Sequence, residues 1–255
     1  MHAMNYHQQW STPPLDLRLQ PDEVHVWRAP LVVPESVLEQ LNQLLSERET
    51  TRALSFRFAE DRRRWIVAHG VLRMLLGRYV RLDPRLLHFD LTIYGKPLLA
   101  FPIPSTPLQF NLSHSRDIAL YAFAYSRQVG VDVEYKRAGL DYDALARVSF
   151  SPNEQAALRS LPDDVKREAF YTCWTRKEAY IKARGKGMST PLDQFDVSCL
   201  AGEAAALLQS REDPREIRRW ALRELAPGND YAGALAVEGF DWSLSCWQWH
   251  VDANS

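Results

Sequence analysis

The chain has 255 residues, 46% of them hydrophobic and 25% charged, with a formal net charge of −1. This is the balance of a globular protein with a substantial core, and near-neutrality argues against a general nucleic-acid binder. No uninterrupted apolar run approaches the ~20 residues of a membrane span, so neither nucleic acid nor membrane is an expected partner.

The opening, M-H-A-M-N-Y-H-Q-Q-W, has neither a basic region nor an apolar core, so no secretory signal is expected. Residues 1–20 are polar and proline-broken and read as a loosely attached leader. Val24 to Trp27 alternates as a strand, and Pro34 to Leu45 carries apolar residues at helical spacing. A strongly basic stretch follows from Arg48 to Arg81; its centre, Asp61 to Tyr79, reads as one helix. Leu86 to Ile93 reads as a strand, with a turn at Tyr94-Gly95-Lys96-Pro97. The four prolines from Pro97 to Pro107 are expected to exclude regular structure.

Leu108 to Leu112, Ile118 to Ser126 and Val129 to Glu134 then read as consecutive strands. Asp141 to Arg159 is helical but interrupted, with Ser151, Pro152 and Glu154 forming a capping box. Val165 to Arg184 reads as a long helix closed by Gly185 and Gly187. Further strands are expected at Phe195 to Cys199, Arg218 to Leu225, Ala232 to Val237 and Leu244 to Val251. No internal repeat is visible. Helices interspersed with meandering strands indicate an α+β fold. Three cysteines, Cys173, Cys199 and Cys246, stand far apart in sequence without metal-ligand spacing, which fits a reduced, cytoplasmic compartment.

Two acidic elements carry the chemistry. In V-G-V-D-V-E, Val129 to Glu134, the period of two puts the valines on one face and Gly130, Asp132 and Glu134 on the other. The valines suit the core, the carboxylates suit a site, and Gly130 leaves room for a ligand; a solvated acidic face is the plainer alternative. In W-T-R-K-E-A-Y-I-K, Trp174 to Lys182, Glu178 and Lys182 share a helix face. They form either an ordinary helix ion pair or part of a site. Together the two elements offer three oxygen ligands for a hard cation such as Mg²⁺, with a lysine beside it.

Three further elements suit an anion. F-N-L-S-H-S, Phe110 to Ser115, ends a strand and is expected to open a loop, presenting backbone N–H groups, Ser113 and His114. In Y-G-K-P, Gly95 permits a tight turn and Pro97 stiffens it around Lys96. The basic helix holds arginines that are solvated or clamp a phosphate. Neither G-x-x-x-x-G-K-S/T nor G-x-G-x-x-G is present, so phosphate must be held by side chains and a metal.

These motifs, in this order and with G-K-G at 185–187, resemble the 4′-phosphopantetheinyl transferases, in the long surfactin-synthetase-activating form. The resemblance is good over 46–197. It implies a pseudodimer of two similar lobes, 1–126 and 127–255, meeting near Ser126 to Gly130 around a cleft that holds the active site, and a monomer. It implies transfer of the phosphopantetheine arm of coenzyme A to a serine of an apo carrier protein, releasing adenosine 3′,5′-bisphosphate. Asp132, Glu134 and Glu178 would hold Mg²⁺ or Mn²⁺, Glu178 would also be the general base, and Lys182 would neutralise charge on the departing phosphate. Lys96, Pro97, Ser113 and His114 would contact the adenosine bisphosphate portion, with Arg52 and Arg64 around its 3′-phosphate and Lys186 toward the pyrophosphate. By analogy, Lys136, Leu140, Tyr142 and Leu145 would dock the carrier. The competing expectation is a non-catalytic module that binds coenzyme A or a nucleotide for regulation.

Overall fold

Two runs of one kind, Val24-His25-Val26 and Val129-Gly130-Val131, each start a half of the molecule, and each half follows the same course. The computed structural model describes residues 9–100, 107–187, 190–200 and 202–251. In the first half β1 (Glu23–Pro30) leads to α1 (Glu35–Asn42), α2 (Glu47–Leu54) and the long α3 (Ala59–Val80). The hairpin β2 (Phe89–Leu91) and β3 (Pro97–Leu99) follows, then β4 (Leu108–Ser115) and β5 (Ile118–Tyr125). In the second half β6 (Val129–Tyr135) leads to α4 (Tyr142–Ser149), α5 (Pro152–Arg159) and the long α6 (Asp163–Arg184). The pair β7 (Phe195–Val197) and β8 (Leu207–Ser210) follows, then β9 (Trp220–Leu225) and β10 (Tyr231–Glu238). The strands of the first half pair antiparallel in the order β1-β5-β4, and those of the second pair antiparallel in the order β6-β10-β9. The α+β pseudodimer expected from the resemblance is therefore the architecture of this chain.

The repeat hidden in the sequence lies in a few positions that fix local geometry. Ser46 and Ser151, 105 positions apart, each form a capping box with the glutamate three residues on. Each of those glutamates also takes a buried cation from the long helix of its own half: Arg73 on Glu49 at 2.7 Å and Lys177 on Glu154 at 2.7 Å. Both long helices have 22 residues and end on a left-handed residue, Arg81 at φ 55° and Gly185 at φ 66°. The side chains between these fixed points have diverged.

The layers stack as helix, sheet, sheet, helix. α3 covers the outer face of the first sheet through Val67, Val71 and Leu75 against Phe110, Tyr121 and Phe123. Val129, Val131 and Val133 pack on Val24, Val26, Leu120 and Ala122 between the two sheets. α6 covers the far face of the second sheet through Phe170, Tyr180 and Ile181 against Leu222, Ala234 and Ala236. Among the described residues no helix is long and apolar enough to cross a membrane.

Several expectations change. Pro97 begins strand β3, where its missing N–H costs little, so the proline stretch is not wholly irregular; Pro102 and Pro104 lie outside the described residues. F-N-L-S-H-S does not open a loop: β4 runs through Ser115, opposite Ile118. Residues 207–210 form a strand that their sequence does not announce. The leader is attached from Trp10 onward, with Ser11 bridged to Trp247 and Leu19 buried; residues 1–8 lie outside the described part. The tail strand, β11 (Ser243–Gln248), runs parallel to β1. The division at 126/127 puts this segment with the second lobe, whereas its hydrogen bonds are with the first. Its tryptophans serve packing, with Trp247 and Trp249 against the α3 core.

Gly130 makes room for a helix and not for a ligand. A Cβ there would stand 2.2 Å from the Ala179 carbonyl oxygen and 2.3 Å from the Ala183 nitrogen, both backbone of α6. The same contact sets how closely α6 approaches β6, and hence where Glu178 and Lys182 stand relative to Asp132. Gly130→Ala should therefore lower stability by about 1–3 kcal/mol, the usual range for overpacking, as read by urea unfolding. An unchanged midpoint would show that α6 is not seated on β6 in this way.

Candidate active site

The site forms where the edge strand of the second sheet meets the edge strand of the first. Asp132 is 2% exposed on β6. Lys182, from α6, reaches across to its Oδ1 at 2.5 Å. The Ser113 hydroxyl on β4 donates to the same oxygen at 2.8 Å and accepts from the Lys182 Nζ at 3.0 Å. Asp132 Oδ2 is buried and has no partner among the described residues. Glu134, two residues on, accepts from the Ser115 hydroxyl at 2.8 Å. Glu178 is half-buried on α6, and no hydrogen bond from the described residues holds it. Loss of water around it, and next the charge of Asp132, raise its pKa to about 7. Burial and then Asp132 also raise that of Glu134. The Glu178–Lys182 helix ion pair is not formed, because the ammonium turns to the strand.

A buried, unpaired carboxylate oxygen is costly, and its two carboxylate neighbours have pKa values raised by burial first and by the charge of Asp132 second. Both features suit a cation, and a set made only of carboxylate oxygens suits Mg²⁺ rather than a softer metal. The three carboxylates stand slightly apart. Among the described residues, the group whose donor atoms all lie within 4.8 Å of one another is Glu154, Cys173 and Cys199. This corrects the reading of the cysteines as remote: Cys173 and Cys199 meet in the core, Sγ to Sγ 2.8 Å. The carboxylate of Glu154 is already occupied by Lys177, Ser151 N and Val197 N. Asp132 and Glu134 are held by serine hydroxyls, whereas no hydrogen bond from the described residues fixes Glu178.

Among the described residues the first half carries no copy of this site. Placing the two strands and the two long helices in register sets Trp27 against Asp132, Ala29 against Glu134, Met74 against Glu178 and Arg78 against Lys182. Trp27, Met74 and Arg78 line a groove of about 650 Å³, in which Arg78 donates to the Pro14 carbonyl at 2.7 Å. The cation has a counterpart there and the carboxylates do not.

On the other face of β4 lies a cavity of about 570 Å³ between α2, α3 and the β2–β3 hairpin. Arg48, Arg52, Pro97 and His114 line it, with Trp65, His69 and Phe89 as its rings. His114 sits at the solvent end of the strand, yet it is enclosed enough that desolvation, and then the Lys182 charge, lower its pKa. Its position joins the cavity to the carboxylates. Trp65 and His69 stack at 3.7 Å, and burial lowers the pKa of His69 to about 4, so its ring is neutral at pH 7. Their i, i+4 spacing was the available signal, obscured by the arginines around it.

Four expected contacts fall elsewhere. Arg64 turns away to Asp117, 3.0 Å from Nη2, and lines a different pocket. The Lys96 ammonium is enclosed, donating to Gln128 Oε1, Val129 O and Ala183 O at 3.1–3.2 Å, and desolvation lowers its pKa to about 8. It ties the hairpin to the C-terminus of α6. Lys186 pairs with Glu212 at 2.7 Å, and its glycine flanks cap the helix and pass close to Tyr94. Ser113 is buried against Asp132 and faces away from the cavity.

Of the docking set, Leu140 and Leu145 are exposed and are joined by Val148 at 82%. Lys136 instead pairs with Glu168, and the Tyr142 hydroxyl donates to the Arg137 carbonyl while its ring packs on Phe170. Asn111 and Ser115 join the site as well, their amide and hydroxyl groups facing β6, and nothing local in F-N-L-S-H-S signals it.

Residues 128–236 match the family model described as the 4′-phosphopantetheinyl transferase superfamily, and residues 33–125 match that of the 4′-phosphopantetheinyl transferase N-terminal region. The chain is 41% identical over 240 residues to the 4′-phosphopantetheinyl transferase HetI of Nostoc sp. strain PCC 7120, spanning 94% of this chain and 98% of the relative. It is 34% identical to 4′-phosphopantetheinyl transferase ffp of Bacillus subtilis, over 78% of this chain and 91% of the relative. It is 30% identical to 4′-phosphopantetheinyl transferase Sfp of Bacillus subtilis strain 168, over 79% and 87%.

The raised pKa of Glu178 makes stability depend on pH. Between its ordinary value of 4.5 and about 7 the folded protein keeps a proton that the unfolded chain releases. With chelator present, stability should therefore fall as pH rises through that window, by at most about 3 kcal/mol. Glu178→Gln should flatten the fall, and Mg²⁺ should offset it. Melting temperatures of both proteins at pH 5 and pH 7.5 test this; parallel declines would contradict it.

Proposed function

The chain belongs to the 4′-phosphopantetheinyl transferases, a family of enzymes, and from that premise we propose that it moves the 4′-phosphopantetheine arm of coenzyme A onto a carrier-protein serine. The observation that supports this most is Glu178, a carboxylate raised to about 7 with no hydrogen bond from the described residues, beside Asp132 and Lys182. Without a cation a carboxylate of that pKa is part protonated at neutral pH, and cation binding, which favours its ionised form, would leave it ready to accept the serine proton. The carrier serine Oγ forms a bond to the phosphorus that bears the pantetheine arm. The P–O bond to the adenosine-side phosphate breaks, the serine proton passes to Glu178, and adenosine 3′,5′-bisphosphate leaves.

Asp132, Glu134 and Glu178 would hold Mg²⁺ or Mn²⁺, which when bound supplies charge neutralisation on the pyrophosphate. Lys182, fixed by Asp132 and Ser113, would neutralise charge on the departing phosphate. The cavity lined by Trp65, Phe89, Arg48, Arg52 and His114 suits the adenosine bisphosphate portion, with rings for the base and cations for phosphate. Lys96 and Arg64 act in this reading through packing and pairing, not on the nucleotide. Both lobes come from one chain, which makes a monomer sufficient, and three free cysteines suit a cytoplasmic setting.

Incubation with apo carrier protein, coenzyme A and Mg²⁺ should add about 340 Da to the carrier, the formula mass of the arm. No gain with acyl, polyketide or peptidyl carriers would favour a binding module instead. Glu178→Gln should keep coenzyme A affinity within about threefold and lose at least ~100-fold in turnover; near-normal turnover would remove Glu178 as base. On the carrier side, Leu140→Glu with Leu145→Glu should raise the carrier KM about tenfold with coenzyme A affinity unchanged. Equal losses in both would point to misfolding and away from docking.

A further inference from the structure

Along the β4 side of β6, side chains of β4 take backbone N–H groups at a period of two. Val131 N donates to Asn111 Oδ1 at 2.8 Å, Val133 N to Ser113 Oγ at 3.4 Å and Tyr135 N to Ser115 Oγ at 3.0 Å. An exposed strand edge normally invites another strand; here three short polar side chains close it. Because β4 and β6 share the two-residue period, the same side chains meet the residues that alternate with those N–H groups. Ser113 Oγ donates to Asp132 Oδ1, and Ser115 Oγ donates to Glu134 Oε2, each at 2.8 Å.

Each serine hydroxyl is thus committed on both sides. Its oxygen accepts from the backbone of β6, which fixes where it sits, and its one proton is directed at a carboxylate. Among the described residues the Ser115 hydroxyl makes these two bonds alone, so its proton has no competing acceptor. Glu134 is longer than Asp132, half-buried, and repelled by it, and unlike Asp132 it receives no ammonium directly. The Ser115 hydroxyl is the one side-chain donor on Glu134 among the described residues.

We infer that Ser115 is a positioning residue that holds the Glu134 carboxylate turned toward Asp132 as a cation ligand, and that it does so from the opposite lobe. The inference rests on the ligand assignment under Proposed function. It also gives F-N-L-S-H-S a second purpose: the motif's Asn111, Ser113 and Ser115 form the seam between the lobes, while His114 alone of its last three residues faces the nucleotide cavity. Outer hydrogen bonds of this kind typically change metal affinity by about 10–100-fold.

Mn²⁺ binding followed by electron paramagnetic resonance, with coenzyme A present and no carrier, reads the effect without turnover. Ser115→Ala should weaken Mn²⁺ binding about tenfold or more, and Ser115→Thr, which keeps the hydroxyl, should restore it to within about threefold. In a Glu134→Gln background, adding Ser115→Ala should cost no more than about twofold, because the carboxylate through which Ser115 acts is gone. Ser115→Ala that melts lower yet binds Mn²⁺ within about twofold of wild type would reduce Ser115 to a purely structural seam residue. Full losses from both substitutions in the double variant would equally overturn the proposal. If Ser115→Ala does not fold, the Thr variant and Glu134→Gln decide: Mn²⁺ binding lost in Thr despite a normal fold would refute it. Wild type that takes up no Mn²⁺ would overturn the ligand assignment itself, and the positioning role with it.

Discussion

The meeting of β4 and β6 is the constraint on which the rest of the molecule depends. Two sheet edges face each other there, and they are joined by side chains instead of a continued ladder. Backbone pairing would have merged the two sheets into one. Short polar side chains leave the edge strand satisfied and a cleft open beside it. The valine face of β6 anchors it between the sheets, and Gly130 lets α6 lie directly on its other face. Lys182 and Glu178 reach the carboxylates because of that close approach.

The two halves show what was added to a shared frame. Capping boxes, box glutamates with their buried cations, 22-residue helices and strand order recur in both. Asp132, Glu134 and Glu178 appear only in the second half, opposite Trp27, Ala29 and Met74 in the first. The first half instead contributes β4, the hairpin and the ring-lined cavity, so the candidate site draws on both. Lys96 reinforces that dependence, because its ammonium joins the first half's hairpin to the carbonyl end of α6.

Much of this was legible in the sequence. Alternation in V-G-V-D-V-E and the Ser151 box signalled a strand and a helix start through local rules that tertiary context left intact. Other features depended on distant partners. Gly130 looked like space for a ligand because nothing in sequence says that α6 crosses it. F-N-L-S-H-S looked like a loop because the turn at Arg116 is tight, with φ of 48°, and β4 runs up to it. Arg64 and Lys186 matched expected positions, but Asp117 and Glu212, distant in sequence, pair with them. The repeat was hidden because geometry needs only a few residues per half, and the rest were free to change.

In the proposed reaction the cleft carboxylates, and not the buried Glu154–Cys173–Cys199 group, would form the cation site. Anomalous scattering from crystals grown with coenzyme A and Mn²⁺ tests it most directly. A single strong peak is expected among Asp132, Glu134 and Glu178, with Glu178 swung toward Asp132 Oδ2. A peak at the cysteines, or none within the cleft, would contradict it.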